Sequence, residues 1–443
     1  MNEPVQDQYK PLPDEVPAPA SARSHFWNYL LTVILTVAIV AGSLTIYYNT
    51  DKEGFGRLLG YDTGASGSQN TMSFDAEDET VTALAKLKTA FKILDEQYFE
   101  DITDAQMLEA MTSGLIDEIG SRYTRYLTAE QNAQLTESMS GAYVGVGATV
   151  SMNKDGLVEI TEVIEGSPAE AAGIRVGDLF LTVDEEDVSA VDTVDQVAAI
   201  VRGTAGTTVD LVMYRPSEAK EIKFTVTRSK ITSVSVKSRM LTPAIGYVQI
   251  REFSAGVSLQ FIAAMESLQA QGAQNIVFDL RNDSGGLADE VIAMLDYLLP
   301  EGTIATIKGR KNGEPFAESW TSNAAMGVPA TMRYAILTNG MTASASELFS
   351  GCLRDYDKAW LIGEQTFGKG SGTNSYNLPD GSAVNITTFL YYLPKGSSIE
   401  EVGLTPDQPV TLPEASVGLS IYQMTLEQDT QLGAAISYLE SLN

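Results

Sequence analysis

The sequence predicts a multidomain α+β chain: an N-terminal transmembrane helix, a helical region, a small β-sandwich-like module and an α/β core. Three observations predict this. The stretch between His25 and Asp51 carries no charge and is apolar from 26 to 48, enough to cross a bilayer, which takes about 20 residues. From Gly141 the texture changes to short β-rich runs broken by glycines. From about Ser233 strand-like and helix-like runs alternate, the pattern of an α/β layer. With 443 residues and 44% hydrophobic content, each unit has material for its own core.

Residues 1–24, with Pro4, Pro11, Pro13, Pro17 and Pro19 and no periodicity, read as a disordered tail. Residues 25–49 read as the anchor, with Trp27 and Tyr29 at one end and Tyr47 and Tyr48 at the other forming interfacial belts. A cleaved signal peptide is the rival reading. It would need a long acidic leader, and its small-residue exit, Ala41-Gly42-Ser43, would lie inside the apolar run. Lys10 and Arg23 before the span balance Lys52 and Arg57 after it, so charge leaves orientation open.

Residues 50–77 form a glycine- and serine-rich linker. Over 78–137, Leu84, Leu87, Phe91, Leu94, Met107, Met111 and Leu115 recur at helical spacing, and no catalytic candidate is visible there. The β-rich module, 138–230, has strand runs at 143–150, 158–163, 178–183, 208–214 and 222–227. Helices are expected at 168–172, capped by Ser167, and at 194–201. The α/β unit, 231–412, has strands at 245–250, 275–279, 334–338, 359–362 and 382–388, with helices at 257–271, 287–299 and 346–355. A helical extension, 413–443, closes the chain with a helix at about 426–442.

Composition excludes several functions. Fifty-eight acidic against 29 basic residues give a net charge of -29, which repels phosphate backbones, so nucleic acid is not the expected partner. The acidity itself suits solubility. One cysteine, Cys352, makes no internal disulfide and no cysteine-rich zinc site. At a helical position it reads as a small buried apolar residue. The single histidine, His25, borders the apolar span. A Ser-His-Asp arrangement is therefore excluded, and an amine is the nearest substitute for the imidazole.

Thr342-Ala343-Ser344-Ala345-Ser346-Glu347 follows an apolar strand and a Gly340 turn and precedes a helix. That placement puts the Ser344 hydroxyl at a helix N-terminus, where unpaired amides favour an oxyanion; the plain alternative is an N-cap serine. Lys369, in Phe367-Gly368-Lys369-Gly370, sits between glycines that allow close packing and hence desolvation of the amine; the alternative is a surface lysine in a turn. Gly363 to Lys369 also fits the first seven positions of a phosphate-binding P-loop. The eighth, where a hydroxyl is needed, is Gly370, with Ser371 one place late.

Asp279-Leu280-Arg281-Asn282-Asp283-Ser284-Gly285-Gly286 ends in paired glycines able to present an amide to an oxyanion, or is an ordinary strand-to-helix turn. Glu347 and Asp355 read by default as solvated helix positions. Tyr143-Val144-Gly145-Val146-Gly147 offers a glycine nest for a peptide carboxylate, or a plain hairpin bend.

With these residues in place, the chain resembles the carboxyl-terminal processing proteases, tail-specific serine peptidases that carry a PDZ domain. The likeness runs from about 80 to 443. It rests on Ser-Arg-Tyr-Thr-Arg-Tyr-Leu at 121–127, the Tyr-x-Gly-x-Gly entry at 143–147 and Gly-Ser-Pro-Ala-Glu-x-Ala-Gly-Ile at 166–174. The Asp-Leu-Arg turn at 279–286, Ser-Ala-Ser-Glu and Thr-Phe-Gly-Lys-Gly complete it in family order.

The resemblance implies a PDZ module at 138–230 and a crotonase/Clp-like protease core at 231–412. It implies Ser344 as nucleophile and Lys369 as general base, with the amides of Ala345 and of Gly285 or Gly286 as oxyanion donors and Asp355 in support. No metal or other cofactor is implied. It further implies polypeptide substrates with exposed C-termini, bound through Tyr143, Val144, Gly145, Val146 and Gly147, a homodimer built on the helical region, and a single-pass position in the cell membrane with a cytoplasmic tail and an extracytoplasmic catalytic part. Two positions depart from the family. Asp283 and Ser284 stand where asparagine and proline are usual, and Thr373 stands where a glutamine orients the lysine. The second reading is a PDZ-containing peptide-binding scaffold with an impaired catalytic site.

Overall fold

The computed structural model describes residues 78–323, 325–416 and 424–442; the expected tail, anchor and linker lie outside them. The chain divides into two compact units, 1–97 and 98–443. Among the described residues the first contributes helix α1 (Asp78–Gln97), whose Leu84, Leu87 and Leu94 are exposed.

The second unit opens with α2 (Asp104–Asp117), started by a reciprocal cap in which the Thr103 amide donates to Gln106 Oε1 at 2.9 Å. Next come β1 (Arg125–Leu127) and α3 (Ala129–Met139). The small β module contains β2 (Ala142–Gly145), β3 (Ala148–Met152), β4 (Val158–Val163), α4 (Pro168–Ala172), β5 (Leu179–Val183), β6 (Glu186–Asp187), α5 (Val194–Val201), β7 (Thr208–Arg215), β8 (Lys220–Thr227) and β9 (Ser229–Thr232).

Its sheet runs β3-β4-β5-β7-β8, with β6 on β5, and closes over Ile160, Phe180, Leu211 and Met213 together with Val197 and Val201 of α5. The strand expected over 143–150 is broken. Gly147 takes φ 84°, and a Cβ there would lie 2.3 Å from Ser167 Cβ, so the chain turns, and β2 pairs with β9 as a separate ribbon.

The α/β unit comprises β10 (Val236–Met240), β11 (Ile245–Ile250), α6 (Val257–Ala270), β12 (Asn275–Asp279), α7 (Ala288–Leu298), β13 (Gly302–Lys311), β14 (Glu314–Ser322), β15 (Tyr334–Thr338), α8 (Ala345–Asp355), β16 (Ala359–Gly363), β17 (Ser371–Asn377), β18 (Ala383–Tyr392), β19 (Gln408–Pro409) and α9 (Thr430–Glu440). The main sheet has the order β10-β11-β12-β15-β16-β19, parallel from β11 onward.

Both faces are covered, which is why these strands read as continuous apolar runs. Ile276, Phe278 and Ile336 point to one face, against Phe261 of α6, Met294 of α7 and Phe349 of α8. Their neighbours Val277, Ala335 and Leu337 point to the other, against Leu432, Ala435 and Leu439 of α9. A second sheet, β1-β18-β13-β14 with β17 on β18, carries the lysine segment and joins β1 to the core. Cys352 is buried in the apolar core, and burial pushes its thiol pKa up, which makes it inert.

Candidate active site

Between β15 and α8 the chain makes one sharp turn, and Ser344 stands at its apex with φ 57° and ψ -115°. A positive φ on a residue with a Cβ costs about 1–3 kcal/mol and persists only where the surroundings enforce it. The enforcement is visible. The Asn339 amide donates to Thr342 Oγ1 at 3.0 Å, that hydroxyl donates to the Leu280 carbonyl at 2.8 Å, and the Ala343 amide donates to the Asp283 carbonyl at 3.0 Å. Ser344 is left half-buried at the start of α8, with that helix's first amide, that of Ala345, next to it in the chain.

The second loop, between β12 and α7, lies directly on this turn. A Cβ on Gly285 would come within 2.6 Å of the Ala343 carbonyl and 2.9 Å of Ser344 Cβ, and Gly285 has φ 95°, so only glycine fits. The Gly285 amide donates to Asp283 Oδ1 at 2.9 Å. Those of Gly286 and Ala345 have no partner among the described residues. The loop is fixed from behind by Arg281, which donates to Asp279 Oδ1 at 2.9 Å and to Asp429 Oδ2 at 2.8 Å, with all three side chains buried. Asp429 also caps α9 through the Leu432 amide, so the last helix and the glycine loop share one anchor.

Lys369 reaches the site from the loop between β16 and β17. Glu347, which the sequence places by default on a solvated helix face, is fully buried and joins the two loops. Its Oε2 accepts the amides of Ser344 at 2.9 Å and Lys369 at 2.8 Å, and its Oε1 accepts the Gly368 amide at 2.8 Å and the Thr366 hydroxyl. The buried Tyr391 hydroxyl makes a second link, lying 2.9 Å from the Ser344 carbonyl and 2.8 Å from that of Lys369.

The Lys369 side chain is half-buried, with Nζ 5.0 Å from the centre of the Tyr123 ring. Burial holds its ammonium below the ordinary lysine pKa. The Arg125 guanidinium adds to this, and Glu400 and Glu347 oppose it. No hydrogen bond joins Ser344 Oγ to Lys369 Nζ, or Thr373 to Lys369, among the described residues. Thr373 lies in β17 opposite Thr387.

Tyr123 and Arg125 come from the segment in which the sequence shows no catalytic candidate. The Tyr123 hydroxyl is buried with no partner among the described residues. The signal that could have found it is the 121–127 motif itself. Asp355 is not brought to Ser344. It ends the 11-residue α8, about 16 Å along the axis, and its carboxylate accepts the Lys395 amide at 2.9 Å. The P-loop alternative also meets a structural obstacle, because Lys369 is followed by strand β17 and not by a phosphate-binding helix terminus.

In the β module, the carbonyls of Val146 and Gly147 accept the amides of Ala169 and Ile164, at 2.8 Å and 3.0 Å. No backbone hydrogen bond among the described residues engages the amides of Val146 and Gly147. Burial raises the Tyr143 pKa.

The sequence profile of Peptidase family S41 matches residues 244–410, and a PDZ domain profile matches 159–215. A CtpA-like serine protease of Staphylococcus epidermidis is 30% identical over 390 residues, covering 88% of this chain and 74% of its own. Among solved structures, the photosystem II D1 C-terminal processing protease is 26% identical with a TM-score of 0.44, covering 76% of this chain and 90% of its own. An S41 protease of Bacteroides fragilis shares the fold, with 19% identity, a TM-score of 0.50, and coverage of 80% and 97%.

Proposed function

Because the chain belongs to the CtpA-like carboxyl-terminal processing serine proteases of peptidase family S41, we propose that it is an endopeptidase working through a Ser344–Lys369 dyad on polypeptides with exposed C-termini. The observation that carries this reading is the Glu347 carboxylate, which ties the backbone of Ser344 to that of Lys369 inside the core. In this reading Lys369, whose burial favours loss of its proton, takes the proton from Ser344 Oγ as that oxygen attacks the scissile carbonyl. The amides of Gly286 and Ala345 receive the oxyanion. The amide of Gly285 is occupied by Asp283, which favours Gly286 of the two glycines. The ammonium of Lys369 then protonates the leaving amine, and water hydrolyses the acyl-enzyme on Ser344 by the reverse path.

Exposed Met341, Phe367 and Val402, on three loops of the site, offer apolar contacts to an unfolded substrate. The amides of Val146 and Gly147 suit capture of its terminal carboxylate by the PDZ module. The same reading puts 25–49 in the cell membrane with the catalytic part outside, and a second copy against the helical region. The anchor lies outside the described residues, among which no helix is long and apolar enough to cross a membrane.

The test is casein cleavage by the full-length chain. Ser344→Ala is expected to lower kcat by at least about 10³-fold, and an undiminished rate would refute the dyad. The scaffold alternative draws on Thr373, which makes no hydrogen bond to Lys369, and on the missing hydrogen bond between Ser344 Oγ and Lys369 Nζ among the described residues. It predicts peptide binding without turnover.

A further inference from the structure

Asp283 is fully buried in the glycine loop. One carboxyl oxygen accepts the Gly285 amide at 2.9 Å, and its backbone carbonyl accepts the amide of Ala343, the residue before Ser344. The other oxygen, Oδ2, has no hydrogen-bond partner among the described residues, and neither has the buried hydroxyl of Ser346 in the first turn of α8. The Ser346 hydroxyl favours the charged form of this carboxyl.

Among the described residues no salt bridge reaches this carboxyl. Glu252, on the loop after β11, adds a like charge. Arg281, two residues earlier, is occupied by Asp279 and Asp429. The Ser344 turn presents Ser346 and no charged group at this point. We propose that Asp283 serves the reaction as a neutral carboxylic acid, a positioning residue that clamps the Gly285 amide so that Gly286 faces the oxyanion, and that its ionisation switches the site off in alkaline solution.

The chemistry follows from burial. An uncompensated buried carboxyl favours its uncharged form, and desolvation pushes this one up to about 8. As an acid it presents an O–H to Ser346 and still accepts from Gly285. As a carboxylate it would place a full negative charge one residue from the paired glycines, where the transition state gathers negative charge of its own. Asparagine is the uncharged isostere of that acid.

This inference rests on the peptidase reading, and two pH series on the full-length chain separate their failures. In casein cleavage from about pH 6 to about pH 10, activity is expected to fall on the alkaline side as Asp283 ionises. In Asp283→Asn the alkaline fall, read against that variant's own maximum, is expected to vanish. The same fall in both chains, or a variant with no cleavage at any pH, would overturn the proposal.

The second series needs no turnover. A carboxyl whose pKa is raised on folding contributes stability that is complete below its unfolded value near 3.9 and is lost as the pH rises toward about 8. In a Ser344→Ala background, the urea midpoint is therefore expected to drop between about pH 4 and about pH 8, and Asp283→Asn to remove most of that drop. Identical midpoint curves would show that Asp283 is already charged and would sink the proposal, even if Ser344 proved catalytic.

Discussion

The Ser344 turn and the Lys369 loop are both held by backbone hydrogen bonds to Glu347, yet they differ at their reactive ends. Ser344 is fixed to the atom before its hydroxyl, by a strained φ and a helix that starts on the next residue. Lys369 is fixed only along its backbone, through Glu347, Tyr391 and Glu400, which accepts the Gly370 amide at 2.6 Å. Its four-carbon stem ends over the Tyr123 ring with no hydrogen bond to Ser344 Oγ. In the dyad reading, the fold preorganises the backbone and the amides that would meet the oxyanion, and the proton-transfer contact is left to tighten when substrate excludes water.

The largest effect should come from removing what the two regions share. Glu347→Gln keeps the shape but turns an amide nitrogen toward groups that are themselves donors, leaving one or two buried amides unpaired at about 1–3 kcal/mol each. Expected outcomes are a loss of about 2–4 kcal/mol in urea unfolding and of about a hundredfold in kcat/KM. Native-like activity in this variant would break the comparison, since the loops would then be held by something other than Glu347.

A smaller effect tests the lysine side alone. Thr373 makes no hydrogen bond to the ammonium, and a glutamine there reaches about 2.5 Å further. Thr373→Gln is expected to raise kcat by up to about tenfold with little change in KM, as an interaction made mainly in the transition state would. An unchanged kcat would show that packing already aims the amine, and would remove the main support for the impaired-scaffold reading.

How much of this was legible depended on whether the signal was local. The helix at Pro168–Ala172 has a serine cap and a proline start, and the helix at Val194–Val201 an apolar stripe, so both match their expected bounds. Strands β12 and β15 were readable because burial on both faces makes them uninterrupted apolar runs. The hairpin β13–β14 had no such signal. On β14 only Phe316 and Trp320 are part-buried apolar positions, Trp320 against Phe389 at 5.6 Å, and the intervening residues face solvent.

The last helix begins at Thr430, after its Asp429 cap, and not at 426, because Asp429 is drawn to Arg281, 148 residues earlier. In the site, Ser344, Lys369 and the paired glycines stood out by residue type. Glu347 did not, because nothing local distinguishes a buried glutamate with several donors from a solvated one. Tyr123 was legible only as part of the 121–127 motif and not as a partner of Lys369, because that contact is made only when β1 pairs with β18.

That contact yields the smallest effect. A ring face 5.0 Å from Nζ favours the charged amine by about 0.5–1 kcal/mol at a part-exposed site, which partly offsets the burial that lowers its pKa. Tyr123→Leu keeps apolar bulk but removes the ring, so the amine should lose its proton more readily. The acid limb of the kcat/KM profile is then expected to move down by about half a pH unit, with modest change at the plateau. A shift in the opposite direction would mean that the ring's main action is desolvation. An unmoved limb accompanied by a lower plateau would mean that Tyr123 orients the amine without tuning it, which would bring the lysine loop closer to the rigidity of the Ser344 turn.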